Sequence, residues 1–326
     1  MRFLIAGAGA IGAYIGALMS RAGSDVTLFG RGPHLRAMQQ HGVRVQRGEG
    51  DFVAHPALAS SLEDVGPVDV VILAVKAHGL TQLAPQLEPV LGPETIILST
   101  QNGIPWWYFQ GCGGGWEGLR LERVDPGGVI SAAIEARRVV GSIVYFSTEV
   151  SEPGVVQHIS GNRITLGEPD GSRSERCRRI AEALIASGLR CPVTTQIRQE
   201  IWVKLLGNAS FNPVSALTGA TIVQIVRDPG VCSVIRNMME EVTEVARKLG
   251  IELPISIEQR IAGAEKVGEH KTSMLQDLEA GRPMELEALV GSVVELGERL
   301  GVPMNHTRTV YHCTKLLGQL RSSMSR

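Results

Sequence analysis

"RFLIAGAGAIG", residues 2–12, decides the fold. Residues 2–7 read as a short buried strand. The stretch "AIGAYIGALMSRAG" (10–23) reads as a helix with Gly23 as its stop. Between them lies Gly7-Ala8-Gly9-Ala10-Ile11-Gly12. The GxGxxG spacing is weak by itself, but after a strand and before a helix it has the context that a dinucleotide-binding turn requires. Gly7 permits the tight turn. Gly9 lets a pyrophosphate approach the helix N-terminus, where unpaired N–H groups and the helix dipole favour an anion. Gly12 lets helix and strand pack closely. The competing reading is a glycine-rich turn with no ligand.

Residues 3–20 carry no charge, and Gly12 and Gly16 form a GxxxG pair, so the stretch also resembles a signal peptide or a membrane span. It holds four glycines and is barely long enough to cross a bilayer. The strand–turn–helix reading is preferred. It implies no membrane segment and a cytoplasmic location.

Further along, "DVTLFGR" (25–31) is a second strand, "HLRAMQQHG" (34–42) a short helix, and "VDVVILAVK" (68–76) a β-branched strand. A helix near 79–88 and the strand "TIILSTQNG" (95–103) follow. Alternating strands and helices mean βαβ units and a parallel sheet. Residues 104–127 break the rhythm as a helix stub and a long loop, with three of the four tryptophans. Residues 139–167 alternate apolar and polar around Pro153-Gly154 and Gly161-Asn162, and read as antiparallel strands added to the edge of the sheet. From residue 195 the pattern is helical: 197–212, 230–249, 255–267, 272–280, 284–300 and 305–321. The fold class is therefore α/β, a parallel sheet with antiparallel edge strands followed by an all-helical domain. The expected boundary divides residues 1–194 from 195–326.

A length of 326 residues suits about two domains of ~100–200 residues each. The composition, 44% hydrophobic and 20% charged, is that of a globular protein with a real core. The formal net charge is -1 and Lys and Arg form no long run, so nucleic-acid binding is not expected. The densest basic stretch, "RSERCRR" (173–179), reads as a solvated helix face. The five cysteines (112, 177, 191, 232 and 313) have no CxxC spacing. That pattern fits a reducing compartment without disulfides or a zinc knuckle. His306, His312 and Cys313 match no metal motif, and no metal is expected.

Several residues point to chemistry. Where an NAD-binding strand would end in Asp or Glu, "LFGRG" offers Gly30 and Arg31. A guanidinium can clamp a 2′-phosphate bidentately, so NADPH is the expected cofactor; a surface arginine is the alternative. Lys76 and Asn102 follow sheet strands, where ligands bind in open parallel sheets. Either alone is equally a capping or loop residue. In "IWVKLLGNASFNP" (201–213), Lys204, Asn208 and Asn212 stand four residues apart on one helix face. Pro213 is expected to end or kink that helix. A lysine snorkelling from a core helix, with two asparagines satisfying nearby loops, is the bland alternative. "KTSMLQDLEAGRPMELEALVG" (271–291) adds Ser273, Asp277 and Glu285. Asp277 could equally be a solvated helix residue. Glu287 faces another side if its helix runs straight, and is set aside.

Over nearly its whole length the chain resembles the ketopantoate reductase (2-dehydropantoate 2-reductase) family. The marks are GAGAIG, Arg31, "VK" (75–76), "QNG" (101–103), "WVKLLGNASFNP" (202–213), "TSMLQDLEAGRPMELEALVG" (272–291) and "GVPMN" (301–305). The resemblance implies a Rossmann domain and a helical domain with the active site in the cleft between them. It implies NADPH delivering hydride to the C2 ketone of ketopantoate in pantothenate biosynthesis. Lys204 matches the general acid. Asn208, Asn212, Ser273 and Glu285 match substrate-holding residues, and Lys76 and Asn102 lie by nicotinamide and substrate. A homodimer is one candidate assembly. Two other readings remain: a related dehydrogenase acting on another 2-keto or 2-hydroxy acid, and a non-catalytic NADPH sensor. The "PWWYF" segment (105–109) either lines a pocket for a different 2-keto acid or caps a helix end.

Overall fold

The computed structural model describes residues 1–48, 50–266 and 268–324. Residue 267, where a helix was expected to close, and residues 49, 325 and 326 of the expected domains lie outside the described residues. The chain forms two compact units. The first comprises residues 1–101, 107–120 and 127–197; the second comprises residues 102–106, 121–126 and the chain from Arg198 onward.

In the first unit the described residues form one nine-stranded sheet. Its strands are β1 (Arg2–Ala6), β2 (Asp25–Phe29), β3 (Val43–Gln46), β4 (Phe52–Ala54), β5 (Ala57–Ala59), β6 (Val68–Leu73), β7 (Leu91–Ser99), β8 (Val139–Glu152) and β9 (Val155–Gly167). The order across the sheet is β4-β3-β9-β8-β7-β6-β1-β2-β5. From β5 to β8 neighbouring strands are parallel. Phe3–Ala6 and Val70–Leu73 are continuous buried runs, the pattern of strands covered on both faces. Helix α1 (Ala10–Arg21) is buried from Gly12 to Met19. Gly16 lets it settle on β2, since a Cβ there would come within 2.4 Å of Leu28 Cδ2. Ile5, Ile15, Met19, Leu28, Ile72 and Leu98 share this core. Full burial of each contributes up to about 1.5–3 kcal/mol before entropy is counted. Helices α2 (Gly32–His41), α3 (Ala77–Leu83), α4 (Val129–Ala133) and α5 (Glu175–Ala186) complete the unit. The expected helix over 79–88 is shorter and earlier, because Pro85 and Pro89 turn the chain into two 3₁₀ turns.

The β8–β9 hairpin stands beside the parallel strands but is not the rim of the sheet. β9 pairs in parallel with β3, and β3 with β4 antiparallel. The basic face at 173–179 is only partly solvated. Arg178 pairs with Glu175 and Glu182 at the surface, while Arg176 Nε donates to the buried Glu168 at 2.6 Å. The aromatic rings of 106–109 are all at least nine-tenths buried. Trp107 packs on Gly141, where a Cβ would lie 2.6 Å from its ring. The glycine-rich loop behind it closes on its own carboxylate: Gly111 and Gly113 donate N–H to Glu117 at 2.8 and 2.7 Å.

The second unit is helical: α6 (Ile197–Thr218), α7 (Ile222–Arg227), α8 (Pro229–Lys248), α9 (Ile257–Glu265), α10 (Ser273–Glu279), α11 (Ser292–Leu300) and α12 (Asn305–Met324). One turn of π-helix, Glu287–Gly291, leads into α11. Trp202, Leu205, Leu206, Ala209 and Phe211 bury α6. Pro213 does not end that helix, which runs on to Thr218. Proline removes one backbone donor, but the turn after it is held by the buried Val214, Ser215 and Ala216. Short α7 escaped sequence reading; a capping box of Thr221 and Gln224 starts it.

Candidate active site

The candidate residues fall into two sets, one in each unit. In the first, β1 runs into Gly7 at φ +118, a conformation that L side chains rarely adopt. Gly7 and Ala8 donate N–H to Phe29 O at 3.0 and 2.9 Å, which ties the turn to the end of β2. Gly12 is sterically required, because a Cβ there would lie 2.0 Å from Gly7 O. Gly9 differs. It caps α1 without a side-chain bond, and no atom lies within 4 Å of the place its Cβ would take. Backbone at the N-terminus of a twelve-residue helix is thus open to an anion, and no acid stands in the first turn. Ala8 is buried, while Ala10 and Ile11 are partly exposed.

Gly30 lies against this turn, with its Cβ position 2.9 Å from Ala8 Cβ. Close packing therefore excludes an acidic side chain at 30. Arg31 follows, exposed, as the N-cap residue of α2. Among the described residues no carboxylate pairs with it. The open glycine backbone and this guanidinium fit a dinucleotide with a 2′-phosphate.

Lys76, partly buried, caps α3 just beyond β6. Its loop is fastened by Gln101, whose Nε2 donates to Leu73 O at 3.0 Å and Val75 O at 3.1 Å. Ser99 Oγ donates to Gln101 Oε1 at 2.8 Å. Gln101 was missed from sequence. It stands inside "QNG", next to Asn102, and its spacing gives no sign of this bracing role.

In the second unit α6 carries Lys204, Asn208 and Asn212 at helical spacing. Lys204 Nζ donates to Asn102 Oδ1 at 2.5 Å. Burial pushes the Lys204 ammonium down to about 8, and the negative charge of Glu285 opposes that shift. Lys204, Asn102 and Glu285 are thus brought together. Among the described residues Asn208, Asn212 and Ser273 make no hydrogen bond to this trio. Asn208 is partly exposed and Asn212 is 5% exposed. Ser273 is exposed at the start of α10, where the buried Thr272 is the cap and accepts the Leu275 N–H.

Other positions depart from expectation. Asp277 is no solvated residue: it is buried and accepts from Arg282 Nε at 3.1 Å. Glu287 does face another side than Glu285, as expected: it begins the π-turn and accepts from Tyr311 Oη at 2.8 Å. Arg260 of α9 was not singled out from sequence. Its guanidinium lies over Gly207, where a Cβ would fall 1.9 Å from Nη2. A glycine between Lys204 and Asn208 was the available signal. Among the described residues no cluster of His, Cys, Asp and Glu could hold a metal ion. None of the described helices is long and apolar enough to cross a membrane.

An ammonium with a pKa of about 8 is mostly charged at neutral pH yet gives up its proton readily. It also supplies positive field where an oxyanion develops.

The family model described as "Ketopantoate reductase PanE/ApbA" matches residues 3–106, and its C-terminal counterpart matches residues 196–318. A 2-dehydropantoate 2-reductase of Mesorhizobium japonicum is 50% identical over 304 residues, 93% of each chain. One from Archaeoglobus fulgidus is 30% identical over 314 residues, 96% of this chain and 97% of that one. Among solved structures, a candidate ketopantoate reductase from Ralstonia solanacearum superposes with a TM-score of 0.94 at 38% identity, covering 98% of both chains. A 2-dehydropantoate 2-reductase from Methylococcus capsulatus gives 0.84 at 30% identity, covering 99% of this chain and 98% of that one.

Proposed function

We propose that this chain, which belongs to the ketopantoate reductase family, reduces the C2 ketone of 2-dehydropantoate to the alcohol of pantoate with NADPH, a step of pantothenate biosynthesis. The observation that carries the proposal is the Lys204–Asn102 hydrogen bond beside Glu285, with the lysine held near a pKa of 8.

NADPH supplies the hydride. The glycine turn at 7–12 would hold its pyrophosphate through backbone N–H groups, and Arg31 would take the 2′-phosphate. Lys76 would serve the nicotinamide end. Hydride addition at C2 leaves an alkoxide. Lys204 Nζ gives that oxygen its proton, becomes a neutral amine and is recharged from solvent. Asn102 holds the ammonium by its Oδ1 and fixes its direction. Asn208, Asn212 and Ser273 offer amide and hydroxyl donors to the substrate carboxylate. Glu285 accepts the hydrogen bond of the substrate's far hydroxyl.

The test is NADPH oxidation followed at 340 nm against a panel of 2-keto acids that includes ketopantoate, for the wild type and for Lys204→Ala. Lys204→Ala should lower kcat by roughly 10²–10⁴, the usual contribution of a positioned general acid, with NADPH binding and thermal melting little changed. Normal turnover by the variant would end the assignment. Lost turnover with a collapsed melting temperature would make Lys204 structural.

A further inference from the structure

The turn of π-helix at Glu287–Gly291 begins two residues after Glu285. Such turns are rare and frequently stand at functional sites. Here the Ser292 N–H goes to Glu287 O rather than to Ala288 O, its partner in an α-helix. The Ala288 carbonyl is thereby freed. It accepts the Ile104 N–H at 3.1 Å and Ser292 Oγ at 2.7 Å. Gly103 packs directly on it, since a Cβ at 103 would lie 2.1 Å from Ala288 O. The segment docked in this way is the one that carries Asn102, the partner of Lys204. One irregular turn therefore adjoins Glu285 at its start and seats Asn102 through its carbonyl.

The side chain of Glu287 keeps the turn in place. Its carboxylate accepts from Tyr311 Oη at 2.8 and 2.9 Å, pairs with Lys315 Nζ at 2.9 Å and with Arg123 Nη1 at 3.4 Å. Gly291 leaves room for it, because a Cβ there would stand 2.5 Å from Glu287 Oε2. Tyr311 is 1% exposed, so its hydroxyl depends on this acceptor.

We infer that Glu287 and Tyr311 are positioning residues: together they latch the π-turn that sets Asn102 and Glu285 against Lys204. The inference rests on the reading of Lys204 as proton donor, and it predicts effects on Lys204 that do not require turnover. With the latch broken, the Asn102 segment and Glu285 relax, and water reaches the ammonium.

The experiment uses the full chain. Lys204 is titrated by NMR on protein with isotopically labelled lysine, assigned by its loss in Lys204→Ala, and kcat and KM for ketopantoate are measured alongside. In Glu287→Ala the titration midpoint should move from about 8 toward the ordinary lysine value of 10.5, because desolvation depresses it and outweighs the opposing charge of Glu285. The kcat should fall roughly ten- to a hundredfold, the scale of an ångström-level misplacement, with NADPH affinity unchanged. Glu287→Gln, which still accepts from Tyr311 Oη, should restore most of the turnover. Tyr311→Phe keeps the ring and should shift the midpoint in the same direction; it decides the matter if Glu287→Ala does not fold. An unmoved midpoint with wild-type kcat in these variants overturns the latch. If the wild type reduces no 2-keto acid, the reductase reading fails, while the titration still decides whether the latch exists.

Discussion

Lys204 reaches across 102 positions of sequence to donate to Asn102 at 2.5 Å. If Lys204 is the proton donor proposed above, reduction needs this amine charged. Its folded pKa of about 8 lies below the usual lysine value, so the reduction rate should stay level below pH 8 and fall as pH rises through it. On the same proposal oxidation of the hydroxy acid needs the neutral amine, and its rate should climb through the same pH. The same depression means that the unfolded chain binds more protons between pH 8 and 10.5, so this group's contribution to stability rises across that window. Rates of both reactions measured from pH 6 to 10 check the first point; two profiles without opposed limbs would remove Lys204 from the proton transfer.

Arg31 should decide the cofactor. The wild type should prefer NADPH strongly, and Arg31→Ala should weaken NADPH roughly tenfold to a hundredfold, the loss of a charge-assisted contact of about 1.5–3 kcal/mol. NADH binding should hardly change. Fluorescence titration with both cofactors checks this, and equal use of the two by the wild type would contradict it.

The glycines at 9 and 12 should separate ligand from scaffold. Gly12→Ala drives a Cβ against the Gly7 carbonyl, so both melting temperature and NADPH affinity should drop. Gly9→Ala meets no protein atom, so melting should be unchanged while NADPH affinity falls. Calorimetry with and without NADPH reads both. Undiminished NADPH binding by Gly9→Ala would mean that the pyrophosphate lies elsewhere.

Glu285→Ala should harm turnover of ketopantoate more than that of a 2-keto acid lacking its hydroxyl, because a site built to bond a hydroxyl discriminates strongly for it. A panel of kcat/KM values is the measurement. Equal losses would make Glu285 a structural residue, or ketopantoate the wrong substrate.

What the sequence disclosed was what long periodicity and glycine chemistry encode. The β1–turn–α1 unit and β6 are apolar and punctuated and begin where their patterns place them, whereas β7 starts and ends four residues earlier than expected and α6 runs six residues further. β4 and β5 are three residues each, too short for any alternation to register. Glu287 faces another side than Glu285, as two positions of helix dictate, and its partners Tyr311, Lys315 and Arg123 lie too far along the chain for spacing to disclose them. Pro213 breaks a hydrogen bond in any helix, and only tertiary packing around Val214–Ala216 reveals that the helix survives it. Arg260 lies more than fifty residues from Gly207, and spacing says nothing about such a pair.

The sheet order has a consequence for biosynthesis. β3, residues 43–46, has its parallel neighbour in residues 155–157 of β9. A nascent chain emerging from the ribosome therefore completes β1, β2 and β6 while β3 and its partner β4 still lack their place. These strands stay outside the sheet until the hairpin that separates them from β7 has been translated. Non-local pairing of this kind is slow, and an unpaired strand edge is open to other chains while it waits. The N-terminal half should thus be a client of chaperones during synthesis, and a truncation before residue 155 should be prone to aggregate.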